Sequence, residues 1–252
     1  MKPKCALLLA AILLSCQGLK NDSLTENNIK LITLDPGHFH AALVQKHRYA
    51  DVDSAVHVYA PAGKDLELHL KRIEAFNTRN DEPTNWNEQV YTGNDYLEKM
   101  LDEKPGNVVV ISGNNQKKTD YILKCLRAGL NVLADKPMAI TPSDLTRLKE
   151  SLAIADDSGL QLYDIMTERY EITSTLQREL ALMPRIFGTL HQGTTEEPAV
   201  VKESVHHFYK NVSGNVLVRP AWFFDPEQQG EGLVDVTTHL VDLIQWTCFP
   251  EQ

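Results

Sequence analysis

Cysteine is scarce in this chain, and what there is does not suit a structural role. Of four cysteines, Cys5 and Cys16 fall near the amino terminus, and Cys125 and Cys248 stand far apart with no C-x-x-C spacing. That excludes a disulfide framework and a cysteine zinc site. Positive charge is also short: 25 Lys and Arg stand against 34 Asp and Glu, a net charge of −9. Nucleic-acid binding needs clustered cations along phosphates, so no nucleic-acid surface is expected. His38 and His40 could suggest a metal site, as could adjacent His206 and His207, but the strand-like stretch holding the latter points them to opposite faces. No metal site is expected. Long apolar runs are absent apart from Ala6 to Leu14, which is too short to cross a bilayer as a mature helix.

That one run has a meaning of its own. Lys2 and Lys4 precede it and Ser15-Cys16 follows, the layout of an export signal. Leu13-Leu14-Ser15-Cys16 resembles a bacterial lipobox, in which the cysteine is lipidated and becomes the new amino terminus; an ordinary signal peptide that contains a cysteine is the alternative. The expectation is a signal over 1–16, a polar tether over 17–28, and an exported, periplasmic protein held to the membrane by a lipid on Cys16 alone. The remainder, with 42% apolar residues overall, has material for about one and a half to two domains.

From residue 29 onward, short apolar runs alternate with helical stretches. Strands are expected at Ile29–Leu34, Ala55–Tyr59, Val108–Ile111, Asn131–Ala134 and Leu160–Tyr163. Helices are expected at Ala41–His47, Lys64–Phe76, Asn94–Glu103, Lys118–Ala128 and Ser143–Asp156, the last capped by Thr141 or Ser143. This predicts an α/β architecture over 29–165: a Rossmann-type, doubly wound parallel sheet with ligands at the carboxyl ends of its strands. Beyond Thr167 the character changes. A helix at Glu168–Leu182, β-like runs at Ile186–His191, Val200–Tyr209 and Asn215–Arg219, and a helix at Val234–Trp246 predict the start of an α+β second domain over 166–252, incomplete at its end.

Three places carry chemistry. The turn Asp35-Pro-Gly37-His38-Phe39-His40 stands where a dinucleotide fold has G-x-G-x-x-G, and it keeps only the middle glycine, the one that lets backbone approach a pyrophosphate. The acid that usually binds the ribose is missing after the second strand, where Tyr59-Ala60-Pro61 follows; Lys64 and Asp65 come some residues later. Asp135-Lys136-Pro137 follows a buried-looking strand. Asp235 and His239 are four apart on a predicted helix, with Asp242 three further along the same stripe. Alone, that stripe could equally be a helix's polar face.

Taken together, Asp135-Lys136-Pro137, Asn115 ahead of a helix ending Arg127-Ala-Gly129, Arg219-Pro-Ala-Trp222, Phe224-Asp225, and Gly230-Glu-Gly232 with Asp235-x3-His239-x2-Asp242 resemble the Gfo/Idh/MocA oxidoreductase family over Ile29–Glu251. Asp135 replaces the usual glutamate of a Glu-Lys-Pro motif, and Lys118 stands where histidine is common. The resemblance implies NAD or NADP as cofactor, contacted by Gly37, His38, Phe39, Asn115, Asp135 and Lys136. It implies that Lys136 lies between cofactor and substrate, that His239 is the general acid/base and that Asp235 orients the substrate. It also implies that a large sheet follows the last helix in relatives, so that this chain resembles part of a longer protein, with homo-oligomerisation through that sheet.

The expected activity is NAD(P)-dependent oxidation or reduction of a sugar, polyol or related hydroxy compound, with cofactor held tightly because no free nicotinamide pool is expected outside the cytoplasm. Two alternatives stand beside it. One is an NAD-dependent glycoside hydrolase that oxidises its sugar transiently so that elimination breaks the glycosidic bond, without the usual carboxylate pair. The other is a non-catalytic carbohydrate-binding lipoprotein that has lost its nucleotide, as the altered glycine turn suggests.

Overall fold

The computed structural model describes residues 29–205, 207 and 209–249. The expected signal, Cys16 and tether, and His206, lie outside them.

Six strands form one parallel sheet: β1 (Leu31–Leu34), β2 (Ala55–Tyr59), β3 (Asn87–Tyr91), β4 (Val108–Ile111), β5 (Asn131–Ala134) and β6 (Leu162–Asp164). Their order is β3-β2-β1-β4-β5-β6, the doubly wound order of dinucleotide folds, whose reversal between β1 and β4 opens a crevice at the carboxyl ends. The central strands read as continuous apolar runs because both faces are covered. Ile32, Leu34, Val109 and Ile111 face one core with Met100, Ile122, Cys125 and Leu126. Leu31 and Val110 face the other with Val56, Ile73, Phe76 and Trp86, as the two-residue period of a strand requires.

The helices between them are α1 (His40–Leu43), α2 (Lys64–Thr78), α3 (Tyr96–Glu103), α4 (Asn115–Arg127) and α5 (Pro142–Ser158). In α2 the buried residues are Leu66, His69, Ile73 and Phe76, one stripe at helical spacing. Asn114 caps α4 by accepting from the Gln116 amide, and Thr141 caps α5 in a reciprocal box with Asp144. The first helix is shorter than the sequence suggests, ending at Leu43 rather than His47. The strand β3, with mixed burial and no clear alternation, has no sequence signal of its own.

The second part comprises α6 (Ile172–Ala181), α7 (Pro184–Phe187), a hairpin of β7 (Asn211–Val212) and β8 (Asn215–Val216), a 3-10 turn at Ala221–Phe224, α8 (Pro226–Gln229), α9 (Gly232–Asp235) and α10 (Thr237–Cys248). Here the sequence misleads. The expected strand at Ile186–His191 begins as the short helix α7 instead, and no strand forms among the described residues of Val200–Tyr209. Strand preference is a preference for pairing, and Val201 and Val205 are exposed with no partner strand among the described residues. The hairpin turns through Ser213 and Gly214, both at positive φ (50° and 82°), which is what a two-residue primed turn demands.

Candidate active site at the strand ends

The altered glycine turn is the centre of the site, and each departure from the expected pattern has a physical role. Asp35 holds the first glycine position at φ 44°, a left-handed conformation that aspartate tolerates better than most residues. Its carboxylate accepts from the Tyr121 hydroxyl at 2.8 Å and from Lys117 Nζ at 3.0 Å. Gly37 cannot change easily: a Cβ there would meet Trp222 Cζ2 at 3.0 Å and Asp65 Oδ2 at 3.2 Å. Gly113, at the end of β4, is tighter still, since a Cβ would lie 2.2 Å from the Asp35 carbonyl. At the third glycine position, His40 turns its ring inward, where Nδ1 donates to Asp135 Oδ2 at 2.9 Å.

Asp135 is the hub of a buried polar cluster. Besides His40, its Oδ2 accepts from Ser112 Oγ at 2.9 Å, and His38 Nδ1 lies 3.3 Å away. That is close enough for electrostatic attraction but without hydrogen-bond geometry, and it leaves His38 Nδ1 buried without a well-formed partner. Its Oδ1 pairs with Lys118 Nζ, which also donates to the Asp135 carbonyl at 3.0 Å. Lys118 is fully buried. Burial alone would raise the Asp135 pKa, but the Lys118 charge, the His40 hydrogen bond and the nearby His38 ring outweigh it and hold the carboxyl well below its usual range. Burial pushes His38 down to about 3, helped by neighbouring His40, and lowers His40 and Lys118 as well. His38, His40 and Asp135 bring ligand-type atoms within 4.8 Å of one another, yet the Lys118 ammonium already sits against that carboxylate, and a divalent cation there would face it at close range.

One residue on, Lys136 reaches across to the second part of the chain. Its Nζ donates to Asp235 Oδ1 at 2.6 Å and to the Asp235 carbonyl at 2.8 Å. Burial opposes ionisation of Asp235, but Lys136 dominates and lowers its pKa. Asp235 ends α9 and His239 lies in α10; a break at Val236 separates the two helices, so the single helix expected over Val234–Trp246 is two. Both residues still line one cavity of about 290 Å³, together with His38, Phe39, Lys136, Glu168, Lys210 and Arg219. The His239 pKa is lowered by burial and by Lys136, against the pull of Glu168, whose Oε1 lies 3.8 Å from His239 Nδ1. Asp242 does not join them. Arg169 Nε holds its carboxylate at 2.9 Å.

A second cavity, about 300 Å³, lies at the ends of β1 and β2 and is lined by Asp35, Gly37, Ala60 to Leu66, Asn114, Lys117 and Trp222. It stands where the topology puts a dinucleotide, with the turn's glycine at its floor. Asp65, in the first turn of α2, is the carboxylate that lines this cavity after β2; its Oδ2 accepts from Trp222 Nε1 at 2.8 Å. The chain therefore fits a nucleotide bound along this edge. Asn115, expected to contact it, instead donates to the Gln229 carbonyl at 2.9 Å, tying α4 to α8, and lines neither cavity. Asp135 is likewise enclosed and acts through its neighbours. Glu168 and Lys210 escaped the sequence reading as site residues because they lie outside any motif, whereas Asp65 stands close after the position where the acid is missing.

Residues 36–162 match the family profile described as "Oxidoreductase family, NAD-binding Rossmann fold". The chain belongs to the GFO/IDH/MocA family. Residues 176–252 match a second profile of this kind, "Putative oxidoreductase C terminal domain". Among solved structures, a "putative oxidoreductase" from Parabacteroides merdae is 60% identical over 91% of this chain and 52% of its own, with a TM-score of 0.86. GenD2 from gentamicin A biosynthesis, solved with NAD, shares the fold at 19% identity, covering 89% of this chain and 54% of its own, with a TM-score of 0.59. A "putative myo-inositol dehydrogenase" from Sinorhizobium meliloti does so at 16% identity, covering 87% and 55%, with a TM-score of 0.55. The chain thus spans about half the length of these relatives. No curated protein matches it significantly.

Proposed function

We propose that the full-length protein is an NAD(P)-dependent oxidoreductase acting on a sugar, polyol or related hydroxy compound, and that it holds its cofactor tightly. The observation that carries this is the convergence of Lys136, Asp235 and His239 on one cavity beside the altered glycine turn. Gly37, Asp65 and Lys117 would hold the nucleotide, whose nicotinamide takes up or gives the hydride when bound.

The residues supply the rest. Oxidising a carbinol requires loss of its hydroxyl proton as the hydride departs. His239, kept neutral by burial and by Lys136, is a base available for that proton near neutral pH. The Lys136 ammonium, fixed by Asp235, presents charge to the oxygen on which negative charge develops. Asp235 stays ionised, so it anchors Lys136 without competing for the proton. A carbohydrate-binding module without nucleotide draws no support from the altered turn, because Asp35 and His40 each have a defined structural task and Gly37 is kept.

Native mass spectrometry of full-length protein purified without added nucleotide tests the reading. Retained NAD(H) or NADP(H) is expected, and protein that is empty and takes up neither would refute it. His239→Ala and Lys136→Ala are each expected to abolish turnover while leaving that nucleotide bound. Export and lipid attachment at Cys16 belong to the same proposal, supported by the Lys2 to Cys16 pattern; unchanged lipid labelling and membrane association in Cys16→Ala would remove the lipid attachment.

A further inference from the structure

The cavity that receives Lys136 and His239 holds more positive charge than the proton-transfer chemistry uses. Lys136 is matched by Asp235, and the other acid lining the cavity is Glu168, which stands beside His239. Lys210 and Arg219 line the same wall. They come from the open end of the β7–β8 hairpin: Leu217 N–H donates to the Lys210 carbonyl at 2.8 Å, and Arg219 follows two residues after Leu217. The hairpin's tight Ser213-Gly214 turn thus sets the spacing of the two cations.

Arg219 is held in a defined orientation. Its guanidinium carbon lies 3.9 Å from the centroid of the Phe223 ring, and its Nη1 is 3.4 Å from His38 Nε2. Neither Lys210 nor Arg219 is without a partner. Bringing them together still costs free energy, since burial and mutual repulsion with Arg219 and Lys136 disfavour the charge on Lys210, and burial disfavours that on Arg219. A planar guanidinium stacked on an aromatic ring, beside a flexible ammonium, is suited to grip a carboxylate in two places.

We propose that Lys210 and Arg219 form an oxyanion subsite that selects a carboxylate-bearing sugar, an aldonate or uronate, as the substrate of the redox site. This rests on the oxidoreductase reading above and narrows it. The carboxylate would lie at the hairpin side of the cavity, with the reacting carbinol at Lys136 and His239. A volume of about 290 Å³ suits a single sugar unit. A carboxylate, smaller than a phosphate dianion, leaves room for the sugar ring in that volume.

The test compares matched pairs on the full-length, nucleotide-loaded protein: D-glucuronate against D-glucose, D-galacturonate against D-galactose and D-gluconate against D-glucitol, with D-glucose 6-phosphate as a further probe. At least one acid should exceed its neutral partner in kcat/KM by about tenfold or more. In Arg219→Gln that acid-to-neutral ratio should fall to about one, and in Lys210→Gln part of the way, which also serves if the first variant folds poorly. No acid preferred over its partner, a preference for the phosphate, or an unchanged ratio in both variants would overturn the proposal. Nucleotide occupancy of the same samples by native mass spectrometry keeps the two readings separable. Empty protein defeats the redox reading, whereas loaded protein with no acid preference defeats only the subsite.

Discussion

Removing the Lys118 ammonium should expose how the turn and the Asp-Lys-Pro segment are joined. In Lys118→Met the aliphatic volume is kept, but Asp135 loses its buried cationic partner, and its carbonyl loses a donor. Breaking a buried pair from one side costs roughly 3–5 kcal/mol, which for a protein of this size lowers Tm by on the order of 10 °C. The pH dependence identifies the cause. Lys118 helps to hold His38 and His40 neutral. Without it, an imidazole beside the uncompensated carboxylate can accept a proton, and its folded pKa rises. A raised folded pKa adds stability at low pH that fades as pH climbs through that value. The deficit relative to the parent protein should therefore be large at pH 8 and visibly smaller at pH 5.5. Chemical denaturation of full-length protein at both pH values measures it. A deficit below about 1 kcal/mol at pH 8, or one that does not shrink on acidification, would refute the account of Asp135 as a carboxylate held by one buried cation.

Acid should weaken the parent protein through its buried neutral histidines. His38 and His69 are both pushed down to about 3, mainly by burial, so their contribution is present above pH 6.5 and is lost as pH falls from there toward 3. Both ring nitrogens of His69 have no hydrogen-bond partner among the described residues; His69→Leu should stabilise by about 1–2 kcal/mol and flatten the acid loss in a Tm-versus-pH series, and unchanged acid sensitivity would count against it. Gly37→Ala should weaken nucleotide binding by about tenfold or more, roughly 1.4 kcal/mol, because its Cβ would press on Trp222 and Asp65; calorimetric titration with NAD and NADP measures this, and parental affinity for both would contradict it. Glu168→Gln removes the charge that supports His239 protonation, so the acidic limb of the kcat/KM profile for oxidation should move to lower pH; a fixed or rising limb would show that His239 is not the titrating base.

The sequence by itself determined the parallel sheet. β2, β4 and β5 are short runs bounded by turn residues and buried by helices whose apolar spacing is regular, and local pattern is enough where both faces of a strand are covered. It also supplied Lys136, Asp235 and His239, because their motifs carry fixed residue types at fixed spacings. Tertiary structure decided what those residues do together. That Lys136 grips Asp235 nearly a hundred positions away, that Asn115 ties two helices and leaves both cavities unlined, and that Lys118 and His40 meet on Asp135 all depend on which strand ends the topology brings side by side. The second part of the chain was less legible for a related reason. Strand preference at Val200–Tyr209 has no effect without a partner to pair with among the described residues, and helical periodicity does not record the break at Val236. The cations of the hairpin belong to no motif, and only folding puts them on one cavity with His239.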